Sequence, residues 1–431
     1  MWLKNILLTG PGSLSRMHLS WSGGPLRGTA QLPASKSEAN RALILQALAG
    51  GGTLGNLSDA HDTQLMRRLL AAAPGTNVLD AEDAGTVMRF LTAYLSVTNW
   101  RGRLTGTARM QERPIAVLVE ALRQAGASIN YLNNEGFPPL ELAGFAAAAR
   151  DASRPTELSV RGDISSQYIS ALLMVGPRLP GGLRLQLTGH VGSRPYIDMT
   201  VALMQLFGAN YSADGDTLLV SAGEYQATNY TVEADWSAAS YWCSLVALAP
   251  VGSEITLPGL RQQSLQGDQA IVGMMTYFGV ETTFLPDGIH LTQLPVAAST
   301  EVRSFDFTDC PDLAQTVAVV AAARGIPVDM TGLESLRIKE TDRIAALQTE
   351  LAKFGGDLRE MGDGRFRAES SGFVVDNQSV ATYHDHRMAM AFAPLAMLGQ
   401  LNIEAPTVVK KSYPQFWKEL ARSGFVVSEA E

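Results

Sequence analysis

Ser165-Ser166-Gln167-Tyr168-Ile169-Ser170-Ala171-Leu172-Leu173-Met174-Val175, followed by Leu183-Arg184-Leu185-Gln186-Leu187 and then Ile197 to Phe207 closed by Gly208, holds one complete structural unit. A polar turn leads into a helix of small apolar residues that reads as buried all round. A strictly alternating stretch then reads as a half-buried strand, and an amphipathic helix follows that stops at a glycine. Glycine just past a helix supplies the left-handed conformation of the position after the cap.

The same pairing of helix classes recurs along the chain. The small apolar class covers Arg41–Leu48, Val87–Leu95, Tyr168–Val175, Ala238–Ala249, Ala314–Ala323 and Met388–Leu398. The amphipathic class covers Thr63–Ala73, Ile115–Ala125, Ile197–Phe207, Gln269–Phe278, Thr341–Phe354 and Gln415–Ser423. Its members stop before Gly75, Gly126, Gly208, Gly279, Gly355 and Gly424, a repeat of about seventy residues. Thr217–Val220, Gly288–Leu291 and Gly372–Val375 read as further strands. Six α/β units suggest two domains of three units each; the competing reading is an ordinary α/β chain with coincidental spacing.

Composition narrows the function. The 431 residues are 46% hydrophobic and 18% charged, enough for two full cores. A net charge of −8 gives no general basic footprint for nucleic acid or an anionic membrane. The chain has no run of eighteen apolar residues. Cys243 and Cys310 lack a CxxC neighbour and read as buried small hydrophobes in a reducing cytoplasm. The patterned sequence begins at His18, so residues 1–16 are expected to be a loose extension, with Met17 as an alternative start.

Several short basic or hydroxyl-rich turns precede helices: Ser35-Lys36-Ser37-Glu38-Ala39-Asn40-Arg41, Asp83-Ala84-Gly85-Thr86-Val87-Met88-Arg89, Glu112-Arg113-Pro114, Ser165-Ser166-Gln167, Lys339-Glu340-Thr341-Asp342-Arg343, Asp385-His386-Arg387 and Lys411-Ser412-Tyr413-Pro414. Backbone N–H groups at helix starts, with guanidinium and ammonium groups beside them, hold phosphates and carboxylates. The chain therefore reads as a binder of small, multiply charged anions.

These turns carry a resemblance. Leu32 to Leu43 is similar to the first signature of the EPSP synthase family of enolpyruvyl transferases, the 3-phosphoshikimate 1-carboxyvinyltransferases. The match continues in order through Ala84-Gly85-Thr86, Met110 to Ile115, Ser165 to Tyr168, Arg194 to Asp198, Pro311-Asp312, Arg337 to Arg343 and Asp385 to Met390, over about residues 18–431. It implies two similar domains, each of three βαβαββ-type units in an inverse α/β barrel, with the site in the cleft between them. By the matching motifs the crossovers fall near residues 34 and 232. Residues 1–34 with 233–431 would form the domain containing both termini, and residues 35–232 the inserted one.

The implied reaction moves the enolpyruvyl group of phosphoenolpyruvate to the 5-hydroxyl of shikimate 3-phosphate, releasing phosphate, on the route to chorismate and the aromatic amino acids. It needs no metal or cofactor, and a cytoplasmic monomer with no nucleic-acid or membrane partner is expected. By motif, Lys36, Gly85, Arg113, Gln167, Arg343, Arg387 and Lys411 surround phosphoenolpyruvate. Lys36, Ser37, Arg41, Ser165, Ser166, Gln167, Ser193, Tyr196, Asp312 and Lys339 surround shikimate 3-phosphate. Asp312 is the better candidate to take the hydroxyl proton, and Glu340 or Lys36 to protonate C3. Arg89 and His386 are given supporting roles.

Each assignment has a structural competitor. Ser165 and Ser166 could merely cap their helix, and Lys339, Glu340 and Arg343 could form a solvated helical charge face. Asp385 could be an N-cap whose neighbours His386 and Arg387 oppose the helix dipole. Three positions depart from the family pattern. Asp83 stands where asparagine is common and would repel a phosphate unless turned away or paired, Phe90 stands where proline is common, and Ser335 where asparagine is. A UDP-sugar enolpyruvyl transferase, which typically uses a loop cysteine, and an inactive anion-binding relative are the alternatives.

Overall fold

The computed structural model describes residues 15–145, 153–163, 165–296, 302–339 and 341–430. Its helices come in pairs. In chain order they are α1 (Lys36–Ala49), α2 (His61–Ala72), α3 (Gly85–Val97), α4 (Ala116–Ala125), α5 (Ser166–Val175), α6 (Arg194–Leu206), α7 (Trp236–Leu248), α8 (Ile271–Thr276), α9 (Ala314–Arg324), α10 (Arg343–Ala352), α11 (His386–Phe392) and α12 (Phe416–Arg422). Odd-numbered members are the apolar class. Every residue of α7 except Ser237 is buried, because its sequence offers no charged face to water.

One strand order recurs. Thr156–Arg161 runs parallel to Leu183–Thr188, with α5 as the crossover, and α6 leads to the hairpin Tyr211–Asp214 and Thr217–Val220. The hairpin folds back so that its second strand pairs with Leu183–Thr188. Parallel neighbours require such a crossover, whereas antiparallel neighbours need only a tight turn. Within Leu183–Thr188 the leucines at 183, 185 and 187 are buried and the residues between them exposed. Each buried leucine contributes about 1.5–3 kcal/mol of apolar burial.

The same order appears in Val78–Asp80, Arg101–Thr105, Leu140–Phe145 and Ala127–Tyr131, and again in Arg303–Asp306, Val328–Thr331, Arg365–Ser370 and Gly356–Gly362. A fourth sheet reaches it differently. Gln378–Val380 and Leu401–Glu404 are parallel, and Arg16–Trp21 inserts between Leu401–Glu404 and Phe425–Ala430. The strand from the start of the described chain thus takes the place that the second hairpin strand holds in the other sheets. A three-stranded sheet (Glu254–Pro258, Gly288–Gln293, Val280–Leu285) gains a parallel bridge from Thr29 to Thr256, and Tyr230–Thr231 pairs with Leu54–Gly55.

Two large apolar clusters result. One gathers residues between Leu43 and Tyr225, the other residues 17–30 with residues 234–425. A patch of Ala34, Ala39 and Val232 lies where the chain passes between them. The two passages run side by side: Ala34 bridges Ala234, Ser35 N–H donates to the Glu233 carbonyl at 2.8 Å, and Asp235 N–H to the Pro33 carbonyl at 2.9 Å.

Four expectations need correction. Residues 1–14 lie outside the described residues, but Arg16 already belongs to a strand, opposite Glu404 and Ala430, so the ordered pattern begins before His18. Gly126, Gly208, Gly279, Gly355 and Gly424 have positive φ, whereas Gly75 does not. Pro74 turns the end of α2 into a 3₁₀ turn, Ala73–Gly75, and no left-handed residue is required there. Gly372–Val375 is not a strand; the chain there runs between Arg365–Ser370 and Gln378–Val380. Finally, Thr341 and Asp342 precede α10, whose helix starts at Arg343.

Candidate active site

The odd-numbered helices begin at their polar turns. Ser35 caps α1, Ser165 caps α5, Asp235 caps α7 and Asp385 caps α11, each accepting from a backbone N–H of the first turn. The capping reading of Ser165 is therefore correct as far as it goes, with its Oγ accepting from Gln167 N–H at 3.3 Å. Capping satisfies one orphan donor of the first turn. Ser166 starts α5 and is half-buried, as is Ser37 in α1.

Asp312, on a 3₁₀ turn ahead of α9, sits at the centre of the charged groups. One carboxylate oxygen accepts from Arg343 Nη1 at 3.0 Å, and the other from Arg387 Nη2 at 2.7 Å and the Tyr196 hydroxyl at 3.2 Å. Arg343 is 2% exposed and also donates through Nε to Asp385 at 2.6 Å. It cannot belong to a solvated charge face. Lys339 is half-buried in the bend after the turn Glu334–Ile338, off α10 altogether, and Ser335 is half-buried on that turn. Glu340 lies outside the described residues.

Asp385 is both an N-cap and an ion-pair partner: one oxygen accepts from Arg387 N–H at 2.8 Å and the other from Arg343. His386, buried, is the first residue of α11. Arg387 Nη1 also donates to the Tyr241 hydroxyl at 3.3 Å. Burial alone would weaken the Arg387 charge, but Asp312 beside it holds its pKa well above the ordinary value. Burial, and then Asp312, push the Tyr196 hydroxyl well above its usual range, so it stays protonated and donates.

Lys36 Nζ lies 3.1 Å from Asp62 Oδ2 and lines a small cavity with Ser37, Asp235, Ser237, Ala238, Tyr241, Arg387 and Ser412. Residues 36–37 come from one apolar cluster's side of the double passage and 235–241 from the other. Behind this cavity the Asp268 carboxylate accepts from Ser237 Oγ. Burial and then the nearby Asp312 raise its pKa to about 7. Asp235 is likewise raised by burial.

Arg41 is 2% exposed and is held entirely by neutral groups in the described contacts. Its Nε donates to Thr200 Oγ1 at 2.7 Å, Nη1 to the Ser37 carbonyl at 2.9 Å and Nη2 to Ser170 Oγ at 2.9 Å. Phe90 and Tyr196 present ring faces 5.3 and 5.7 Å away. Burial pushes the Arg41 pKa down to about 10, still far above neutrality. Phe90 is fully buried within an unbroken α3, and its bulk serves as the floor for this guanidinium.

Gly85 opens α3 where two cations converge. A Cβ added there would meet Arg89 Nη1 at 2.5 Å and Arg113 Nη1 at 2.7 Å. Only a residue without a side chain permits that approach. Arg89 Nη1 donates to Gln167 Oε1 at 3.0 Å, and Gln167 Nε2 to Thr86 Oγ1 at 3.1 Å, tying α3 to α5. Ser193 adopts φ 56° ahead of α6, with its N–H donating to the Thr308 carbonyl at 3.2 Å. Lys411, at the end of the turn Pro406–Lys411, pairs with Asp83 at 3.2 Å. Burial raises the Asp83 pKa, but Lys411 outweighs it and the net shift is downward.

Sequence reasoning missed Asp62, Asp235, Tyr241 and Asp268. Asp235 was legible: it stands one residue before an apolar helix, where Ser35, Ser165 and Asp385 stand before theirs. Asp62, Tyr241 and Asp268 lie inside elements and carry no local signal. Both cysteines are buried, and burial pushes the Cys243 thiol up to about 12 and that of Cys310 upward too, so neither is a poised nucleophile.

Comparison with known proteins agrees with the motifs. The family model for EPSP synthase (3-phosphoshikimate 1-carboxyvinyltransferase) matches residues 70–420. A 3-phosphoshikimate 1-carboxyvinyltransferase of Bacteroides fragilis is 47% identical over 412 residues, covering 94% of this chain and 97% of the relative. One of Methanospirillum hungatei is 36% identical, covering 93% and 96%. The solved EPSP synthase of Acinetobacter baumannii superposes with a TM-score of 0.77 at 21% identity, over 96% of this chain and all of that one, and so shares the fold. With the matching motifs in family order over nearly its full length, this chain belongs to the EPSP synthase family.

Proposed function

We propose that this chain transfers the enolpyruvyl group of phosphoenolpyruvate to the 5-hydroxyl of shikimate 3-phosphate, releasing phosphate, and that its site is the charged cluster around Asp312. The observation that carries this reading is the Asp312 carboxylate held by Arg343, Arg387 and Tyr196, with Lys36 and Arg387 lining one cavity. Membership of the family supplies the reaction.

In the first step the 5-hydroxyl oxygen bonds to C2 of phosphoenolpyruvate as its proton leaves, and the C2–C3 π pair takes a proton at C3. In the second, the C2–O bond to phosphate breaks, phosphate departs with the bonding pair, and C3 gives up a proton to restore the double bond. Asp312 accepts the hydroxyl proton. The incoming anions draw Arg343 and Arg387 towards themselves and so free the Asp312 oxygens that those guanidiniums hold. Glu340 or Lys36 delivers the proton to C3.

Lys36, Gly85, Arg113, Gln167, Arg343, Arg387 and Lys411 surround phosphoenolpyruvate in this reading. Ser37, Arg41, Ser165, Ser166, Gln167, Ser193, Tyr196, Asp312 and Lys339 surround shikimate 3-phosphate. The two bodies are residues 1–34 with 233–431 and residues 35–232, and drawing them together excludes water from the chemistry. A cytoplasmic monomer is part of the reading; light scattering at the single-chain mass of 46.2 kDa is the expected result.

The test is phosphate release by the purified protein with both substrates, with each alone, and with a UDP-sugar acceptor in place of shikimate 3-phosphate. Release only with the two named substrates is expected. Release only with the UDP-sugar would overturn the acceptor, and silence in all arms would leave an anion-binding relative.

A further inference from the structure

Lys36, Arg343, Arg387 and Lys411 each have a carboxylate on them, and the carboxylates differ in how firmly they are held. Asp62, Asp312 and Asp385 are 5%, 15% and 0% exposed, and the last two accept from more than one donor. Asp83 is 50% exposed, on Lys411 that is 22% exposed. It sits in the loop before α3, two residues from Gly85, while Lys411 belongs to the turn that packs against α2. The neighbouring Glu82 is engaged elsewhere, accepting from His61 Nε2 at 2.8 Å and Arg68 Nη2 at 2.7 Å.

Resting on the reading above, we propose that Asp83 is an intramolecular competitor for the phosphoenolpyruvate subsite: its carboxylate occupies Lys411, and the substrate anion must displace it. Among the described carboxylates on site cations it is the one that can swing into water at little cost, because half of it is already there. It remains ionised throughout the neutral range, since Lys411 holds its pKa below the ordinary carboxylate value. The competition therefore persists at every pH at which the enzyme is assayed. It weakens ground-state binding of one substrate and leaves the other subsite, at Arg41, untouched.

Asp83→Asn keeps the shape and removes the charge. The expected result is a KM for phosphoenolpyruvate about two- to fivefold lower than in the unaltered protein, the range an ion pair of this exposure supports. The KM for shikimate 3-phosphate moves by a smaller factor. Glu82→Gln removes the adjacent charge without touching Lys411 and should move the phosphoenolpyruvate KM less than Asp83→Asn does. Calorimetric titration with phosphoenolpyruvate gives the same comparison without turnover. A phosphoenolpyruvate KM and affinity that stay the same or worsen in Asp83→Asn would overturn the competition. Equal gains in Glu82→Gln and Asp83→Asn would replace it by a general field effect. If the unaltered protein fails to release phosphate while the titration still separates the variants, the reaction assignment fails and the competition stands.

Discussion

The starts of α5 and α11 occupy equivalent places in repeated units, yet they handle charge in opposite ways. Beside α5, Arg41 of α1 meets hydroxyls, a carbonyl and two aromatic faces, with Thr200, Ser170 and Ser37 as its described acceptors. Around the start of α11, Arg343 and Arg387 share Asp312, and Arg343 also holds Asp385. A cation in neutral surroundings keeps its full attraction for an anion and is set by its hydrogen bonds. A cation already paired must change partners when the anion arrives, and the partner it leaves becomes more basic. The first arrangement suits binding alone, the second suits binding coupled to proton transfer.

The sharpest way to break this contrast is Lys36→Met. It should lower turnover by at least about a thousandfold, the scale on which preorganised charge acts in a site. Because Asp62 is buried and loses its partner, stability should also fall by about 1–3 kcal/mol. Lys36→Met with Asp62→Asn should regain the stability and none of the turnover. Near-normal turnover in either variant would remove Lys36 from the site.

Next in size is Asp312→Ala, expected to slow kcat by about a hundredfold to ten-thousandfold, the span of general base catalysis. KM values should move far less, and a change confined to KM would make Asp312 a binding group only. Arg41→Ala tests the neutral side. It should raise the KM for shikimate 3-phosphate by about tenfold, since hydrogen bonds from a charged donor contribute about 1.5–3 kcal/mol each. The KM for phosphoenolpyruvate should move less; the reverse ranking would mean the subsites are exchanged.

The smallest effect concerns Asp268. Its folded pKa, raised to about 7, exceeds the unfolded carboxylate value, so the folded state holds a proton that the unfolded state has lost over the window from about 4 to 7. Folded stability from this group is present at the acidic end and is lost as pH rises through that window. Melting temperatures of Asp268→Asn should therefore fall less between pH 5 and pH 8 than those of the unaltered protein, within the few degrees expected of one group. Parallel curves would place the titration elsewhere.

Much of this architecture was legible in order and period. The two helix classes appear where the apolar spacing puts them, because burial on all sides or on one face is written directly in which residues recur. Five of the six terminating glycines have the left-handed backbone expected of them, and Gly75 differs because Pro74 reshapes the helix end. Gly372–Val375 has the composition of a strand but no partner in the described sheets. Within the site, the cations were legible from their motifs, and which carboxylate each of them meets was not. Asp62 and Asp268 look like ordinary helical acids, and Asp83 looked like a misplaced charge until Lys411, more than three hundred residues away, was found beside it.

Sequence alone determined the helix classes, the repeat, the order of the anion-binding turns and with them the family, since each depends on residues within a turn or two of one another. Only tertiary structure decided that Arg16–Trp21 completes the last sheet, that Asp312 is shared between two arginines, and that Asp83 rests on Lys411. Local periodicity fixes which face of an element is buried. It does not fix which distant carboxylate meets which cation, because that distance is set by how whole units pack.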